Sequence, residues 1–304
     1  MSFTNFRSWA KPNKGGMIVT ELVQQLLNGL VMGSYYVLIA IGLSIVYGIL
    51  GISHFAHGSV VMVGGYITFV VVSRIGLNFF AAMLVSMVLT ALLGIVIERV
   101  AYRPVRNAPP INAFIIALGL GMIIDNIMTL IFGPDQVIIP NPFRSVISIG
   151  NVHIAVLRVL MIICCCVLVA VLLAFMKYTV MGKAIRATSQ NREASLIMGI
   201  NINVVTAIVF ALGSAFGAVA GSFIGALFAV YPSMGTFTVQ KGFAVLILGG
   251  LGSVPGAIAG GLIIGITESL GSMLISSDYK DVFAFVIMIA VLMFKPQGLF
   301  GGKE

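Results

Sequence analysis

"LGGLGSVPGAIAGG" (Leu248–Gly261) interrupts an apolar stretch that runs from 238 to 275. A helix needs about 20 residues to cross the hydrocarbon core, so the whole stretch is too long for one passage. Its glycines and Pro255 suit a continuous helix poorly. The segment therefore predicts a short helix inward, a break near mid-depth and a longer helix back out.

The rest of the chain agrees that lipid is the solvent. Of 304 residues 60% are hydrophobic and only 9% charged, against roughly a quarter charged in soluble domains. So little polar surface excludes a water-covered exterior. The fold class is an all-α polytopic membrane protein of about eight spanning segments, with broken or re-entrant helices in each half. The segments fall near 20–46, 53–73, 77–98, 110–132, 153–176, 201–229, 238–275 and 282–296. Nowhere is there room for a separate soluble core, so residues 1–304 form a single transmembrane domain. The first span is expected to be retained, because no small-residue cleavage site precedes it.

The net charge of +8 could suggest nucleic acid, but the placement of the charge argues otherwise. Basic residues gather in the N-terminal tail (Arg7, Lys11, Lys14), after Glu98 (Arg99, Arg103, Arg106), at 177–192 (Lys177, Lys183, Arg186, Arg192) and at the C-terminal end (Lys295, Lys303). Such clusters mark cytoplasmic loops. This puts both termini and 177–200 inside and 133–152 outside. It also demands an even number of crossings between the tail and the 99–106 loop, where three apolar stretches lie. One of them should be re-entrant or broken, and "YGILGISHFAHGSVVMVGGY" (47–66) is the place. Irregular backbone at membrane depth is tolerated where it lines a cavity or is buried in protein. Interruptions in both halves point to a transport site.

Within that stretch His54 and His57 are three apart and share a helix face. They either line a substrate path or bond freed carbonyls at the helix break. Two histidines are too few ligands for a metal. Asp125 and Glu268 are the deep carboxylates, read first as hydrogen-bonding between helices and second as a proton relay. The consecutive Cys164, Cys165 and Cys166 point in different directions on a helix and build neither a metal site nor a disulfide framework. Gly213, Gly217, Gly221 and Gly225, each four apart, form a small-residue ridge for close helix packing, within the chain or against a partner. No nucleophile–base pair and no phosphate-binding loop is present, so an enzyme is not expected.

"TVMGKAIRATSQNREASLIMGININ" (Thr179–Asn203) places a half-polar helical segment between two greasy spans. Asn191 can cap a short helix with Glu193 in its first turn, and Gly199 can end it. Periodicity alone leaves two readings open, a docking element or an amphipathic helix resting on headgroups.

"REASLIMGIN" (192–201) resembles the cytoplasmic loop of ABC-importer permeases, Glu-Ala-Ala, three residues, then Gly. Glu193, Ala194 and Gly199 match, Ser195 replaces the second Ala, and the later Ile-x-Leu-Pro is absent. Together with "GISHFAHGSVVMVGGYITF", "GKAIRATSQNREASLIMGIN" and "GFAVLILGGLGSVPGAIAGGLIIGITES", in that order, the chain from Leu22 to Phe300 resembles branched-chain amino acid ABC permeases. Its length is similar to the first of the two homologous permeases of such systems. The resemblance implies a bacterial or archaeal plasma membrane location and a homologous permease partner, as a heterodimer. It also implies two cytoplasmic ATPases that carry ATP and Mg, an extracytoplasmic binding protein, and no cofactor in this chain. Lipid is the remaining partner, and nucleic acid is not one. Gly182, Arg186, Arg192, Glu193, Ala194 and Gly199 would couple to the ATPases. Ser53, His54, Phe55, His57 and Gly58, with Gly249, Gly250, Gly252, Ser253 and Gly256, would line the path. The same pattern is similar to permeases for urea, short amides and other apolar amino acids. The rival class is a stand-alone secondary transporter using the buried carboxylates.

Overall fold

The computed structural model describes residues 14–140, 142–143, 145–274 and 280–301. Its helices are α1 (Lys14–Leu50), α2 (His57–Val70), α3 (Phe79–Ile97), α4 (Pro110–Phe132), α5 (Val156–Tyr178), α6 (Val180–Gln190), α7 (Arg192–Ile197), α8 (Ile202–Leu227), α9 (Met234–Gly249), α10 (Val254–Leu274) and α11 (Lys280–Phe294). A small antiparallel hairpin, β1 (Val146–Ile149) and β2 (Val152–Ala155), precedes α5. Among the described residues seven helices are long and apolar enough to cross a membrane, and α9 and Val282–Phe294 are shorter apolar helices. This is an all-α polytopic membrane protein.

The central pair is α1 against α10. Gly29 and Gly33 of α1 meet Gly261 and Gly265 of α10 so closely that a Cβ on Gly29 would lie 2.7 Å from Ile266 Cα. Residue 29 lies by 266, and 48 by 252, so the two helices run antiparallel. Spacing of four puts these small residues on one stripe, and the missing side chains let the backbones approach. The 213–225 ridge on α8 works the same way within the chain. Gly213 abuts Gly42 of α1, and Gly217 and Gly221 abut Val61 of α2. By contrast α4 and α5 leave long apolar sides exposed, including Ile115, Met122, Leu130, Ile163 and Val171, which suits lipid contact.

Two ends of the bundle can be told apart. At the hairpin end, the His153 amide donates to Gln24 (2.9 Å) and Arg158 to Asn28 (2.7 Å). At the basic end, Glu98 accepts from Arg103 (2.8 Å) and from Thr206 (2.8 Å), while Arg192 reaches Asn107 (3.4 Å). α1 therefore begins at the hairpin end and finishes at the basic end, about 46 Å away over Thr20–Leu50 at 1.5 Å per residue.

This corrects the expected sidedness of the first half. α1, α2 and α3 all traverse, an odd number, so the first described turns lie opposite the 99–106 loop, while Lys295–Gly301 lies at the basic end beside Gly250. The polar residues Gln24, Gln25 and Asn28 of α1 decide this, because beyond the Asn28–Gln25 bond within α1 their partners among the described residues lie on the hairpin, α5 and α10. Arg7, Lys11 and Lys303 lie outside the described residues.

Both breaks exist, with one depth revised. Residues 51–56 turn back from the basic end into the bundle, and α2 starts beside Gly42 and Gly217, well inside. In the second half, α9 also starts inside the bundle, its Gly235 against Gly58. The 250–253 turn, expected near mid-depth, instead sits at the basic end. There Gly252 packs on Gly48, and Leu299 and Phe300 donate to the carbonyls of Leu248 and Gly249 (2.9 Å each). Gly250 (φ 107) and Gly252 (φ 78) adopt backbone that other residues resist, which allows the helices to reverse so tightly.

Candidate functional site

The segment between α5 and α8 forms a capped knob at the basic end. Thr179 caps α6 by accepting from the Gly182 amide (2.9 Å). Gly182 fills the corner against α5, where a Cβ would lie 2.3 Å from the Phe175 carbonyl oxygen. Asn191 caps α7 by accepting from the Ala194 amide (2.9 Å), and the Ser195 hydroxyl turns back to the Asn191 carbonyl (2.8 Å). Gly199 (φ 79) then reverses the chain toward α8. The segment is thus two helices meeting at Asn191.

One side of this knob is buried, through Gly182, Ile185, Thr188 and Ser195. The other presents Arg186, Glu193 and Ala194 together with large apolar side chains. Ile197 is 86% and Met198 80% exposed. Behind it, burial and the neighbouring cations Arg192 and Arg103 push the Arg106 guanidinium below its ordinary pKa, partly offset by Glu98. Glu98 and Tyr102 point inward from a π-helical turn (Glu98–Tyr102) that ends α3. The knob is therefore tied to the loop after α3 through Asn107, and the turn that ends α3 is tied to α8 through Glu98 and Arg103, which also reaches the Asn203 carbonyl (3.3 Å).

The 53–58 segment is a packed plug. His54 Nδ1 bonds the Tyr102 hydroxyl (2.6 Å), and its ring lies 5.0 Å from Phe210. His57 is wedged between Gly42 and Gly217, bonds the Ile39 backbone, and leaves Nε2 without a partner among the described residues. Carbonyl bonding thus accounts for one histidine and a phenol for the other. Phe55 stacks on Phe243 of α9 (4.3 Å) and meets Phe114 of α4 edge-on (5.2 Å). A Cβ on Gly58 would lie 1.9 Å from the Gly235 carbonyl oxygen. Ser53 is partly exposed at the start of this turn. In the second expected segment the helix ends pack closely. Ser253 caps α10 by accepting from the Gly256 amide (3.1 Å), and Gly249 lies against Gly256.

A small cavity of ≈ 70 Å³ lies at the basic end beside Ile52 and Tyr102, and two others lie toward the hairpin end. One of ≈ 310 Å³ lies between α1, α8 and α10, bounded by Asn28, Met32, Tyr36, Arg158, Phe228 and Glu268. Another of ≈ 490 Å³ lies between α1, α8 and α9, bounded by Tyr35, Ile224, Phe228, Phe237, Thr238 and Lys241. Met32, Tyr36 and Phe228 belong to both and form the wall between them. At this wall Lys241 pairs with Glu268, and Tyr36 donates to the same carboxylate (2.5 Å). Both charges are nearly enclosed, the side chains of Lys241 and Glu268 being 13% and 7% exposed. Asp125 lines a separate cleft with Asn126, Thr129 and Ser233, so the two deep carboxylates do not form one relay.

Residues 25–292 match the family model described as branched-chain amino acid transport system / permease component. The chain is 38% identical over 296 residues to the high-affinity branched-chain amino acid transport system permease protein LivH of Escherichia coli K12, covering 93% of this chain and 96% of that one. It is 36% identical over 300 residues to the BraD permease of Pseudomonas aeruginosa, covering 94% and 98%. A probable LivH of Methanocaldococcus jannaschii is 28% identical over 305 residues, covering 94% and 95%. The chain belongs to the branched-chain amino acid transport permease family.

In this permease the residue that sequence reasoning missed is Lys241. Its signal was present, a lone cation inside an apolar run, which is rare unless it is partnered. Glu268 was noticed without its partners. The two are 27 residues apart, far beyond any spacing on one helix, and meet only because α9 and α10 fold back on each other at 250–253.

Proposed function

We propose that this permease is the translocating subunit of an ATP-driven importer for leucine, isoleucine and valine. The basic end faces the cytoplasm, as its arginines and lysines require, and the hairpin end faces outward. Two cytoplasmic ATPases grip the α6–α7 knob, a second permease completes the membrane part, and an extracytoplasmic binding protein delivers substrate to the hairpin end. The knob carries this reading. A capped, two-helix projection with exposed Leu196, Ile197 and Met198 has the makings of a docking surface, and it stands on a chain matched to permeases over almost its full length.

The geometry supplies a transmission route. Nucleotide binding draws the ATPases, and with them the two knobs, together. The Gly182 corner passes the movement to α5, and the Arg192–Asn107 and Glu98–Thr206 contacts pass it to α3 and α8. Packed helices switch between discrete arrangements rather than bending continuously. The cavities beside Tyr36 then open to alternate sides.

The test is uptake by proteoliposomes holding the permease pair, ATPases and binding protein, with leucine, isoleucine, valine and urea each offered. ATP-dependent leucine uptake, abolished by Glu193→Lys and Gly199→Trp in variants that still insert, is expected. Uptake by this chain alone without ATP, indifferent to both variants, would overturn the reading. Uptake of urea alone would overturn the substrate.

A further inference from the structure

Resting on that substrate reading, we infer that the Lys241–Glu268 pair is the recognition site for the charged ends of the amino acid: the α-carboxylate takes Lys241 and the α-ammonium takes Glu268, and the wall between the two cavities parts as they do.

Three observations carry this. First, the pair lies on the boundary of two cavities, with Glu268 facing the one and Lys241 the other. Both cavities, at ≈ 310 and ≈ 490 Å³, fall in the size range of small-molecule sites, and such sites join apolar walls to a few placed polar groups. Second, the walls beside the pair carry large apolar side chains. Met32, Ile224, Phe228 and Phe237 offer a surface for a branched aliphatic side chain, and methionine adapts to its shape. Third, the pair sits near the middle of α1's span, opposite Tyr36, where an ionic contact is costly unless it is partnered or used.

The chemistry then selects. A zwitterion offers both replacements at once, so each buried charge exchanges one charge-assisted contact for another. A ligand with only one charge would break the buried ion pair and return a single contact in exchange, which is unfavourable. Sites built on such groups reject analogues that lack the matching charge far better than they reject one fewer methylene. The permease would thus check that its cargo is an α-amino acid, whichever side chain the binding protein has chosen.

A merely structural pair makes a different forecast, and a double variant separates the two. Lys241→Met or Glu268→Gln alone breaks the buried ion pair under either reading, and each is expected to lower leucine uptake by about tenfold to a hundredfold. The double variant Lys241→Met/Glu268→Gln removes both charges of the pair. If the pair only holds α9 to α10, uptake returns toward wild type, and that recovery overturns the inference. If the pair reads the substrate, the double variant is no better than either single, while it still assembles with its partners by size-exclusion chromatography. Ligand-dependent thermal stability of the wild-type complex gives a readout that does not depend on any variant. Leucine is expected to raise it, and leucinamide and 4-methylpentanoate, each lacking one charge, are not. Equal effects of all three, or no effect of leucine, overturn the inference. Wild-type proteoliposomes that carry no leucine sink both this inference and the substrate reading, whereas wild-type uptake with recovery in the double variant sinks this one alone.

Discussion

Gly265→Ala is the sharpest test of how the bundle is held together. The added Cβ would lie 2.3 Å from the Gly33 nitrogen, 2.4 Å from its Cα and 2.6 Å from the Gly29 carbonyl oxygen. Ordinary carbon contacts sit near 3.5–4.0 Å, so α1 and α10 must separate by roughly 1 Å. All the opposing atoms are backbone, so no rotamer change relieves the clash. A gap of about 0.5–1 Å forfeits a quarter to a half of each dispersion contact, and overpacking a tight core costs about 1–3 kcal/mol. The value should fall at the upper end of that range. The control is Gly119→Ala on α4, where a Cβ meets nothing within 4 Å. There alanine replaces glycine inside a helix and should be neutral or stabilising by about 0.5–1 kcal/mol. Thermal melting of the detergent-solubilised complex, followed by fluorescence-detected size exclusion, compares them directly. Gly265→Ala is expected to melt several degrees lower and Gly119→Ala at or above wild type. Equal melting of wild type and Gly265→Ala would refute the glycine-contact account of the α1–α10 pair.

Three further outcomes follow from the contacts. Tyr102→Phe strands the buried His54 Nδ1, which should cost about 1–3 kcal/mol, read as a lower melting temperature. Gly182→Ala drives a Cβ into the Phe175 carbonyl and the Met176 backbone and tilts α6 away from α5. ATP hydrolysis should persist while leucine uptake per ATP falls, measured in the same proteoliposomes. Glu98→Ala removes the carboxylate shared by Arg103 and buried Thr206. It should destabilise the permease by about 1–3 kcal/mol, less than for a fully enclosed ion pair because Arg103 is part-exposed, and limited proteolysis should cut 99–107 faster.

Much of this molecule could be read from its residues, and the limits are physical. Lipid as solvent follows from composition. The breaks at 51–56 and 250–253 follow from glycine and proline, and the bounds of α7 from Asn191 before it and Gly199 two residues past its end. Those are local rules. Depth is not local. The 250–253 turn lies at the basic end because Gly48 and residues 297–301 receive it, contacts between segments that sequence spacing cannot register. The start of α1 was assigned by charge counting, which weighs an N-terminal lysine like one in a short loop. Gln24, Gln25 and Asn28 pin it to the other end. The cavities escaped notice for a similar reason, since Tyr36, Lys241 and Glu268 belong to three helices and form a pattern only when these are packed.

The claim that the α6–α7 knob is where ATP energy enters is met most directly by Ile197→Asp/Met198→Asp. Both side chains are exposed and touch no core, so the variant should fold, insert and pair with its partner permease. The expected result is loss of ATPase co-purification together with loss of ATP-driven leucine uptake. Wild-type uptake with the ATPases still bound would contradict the account.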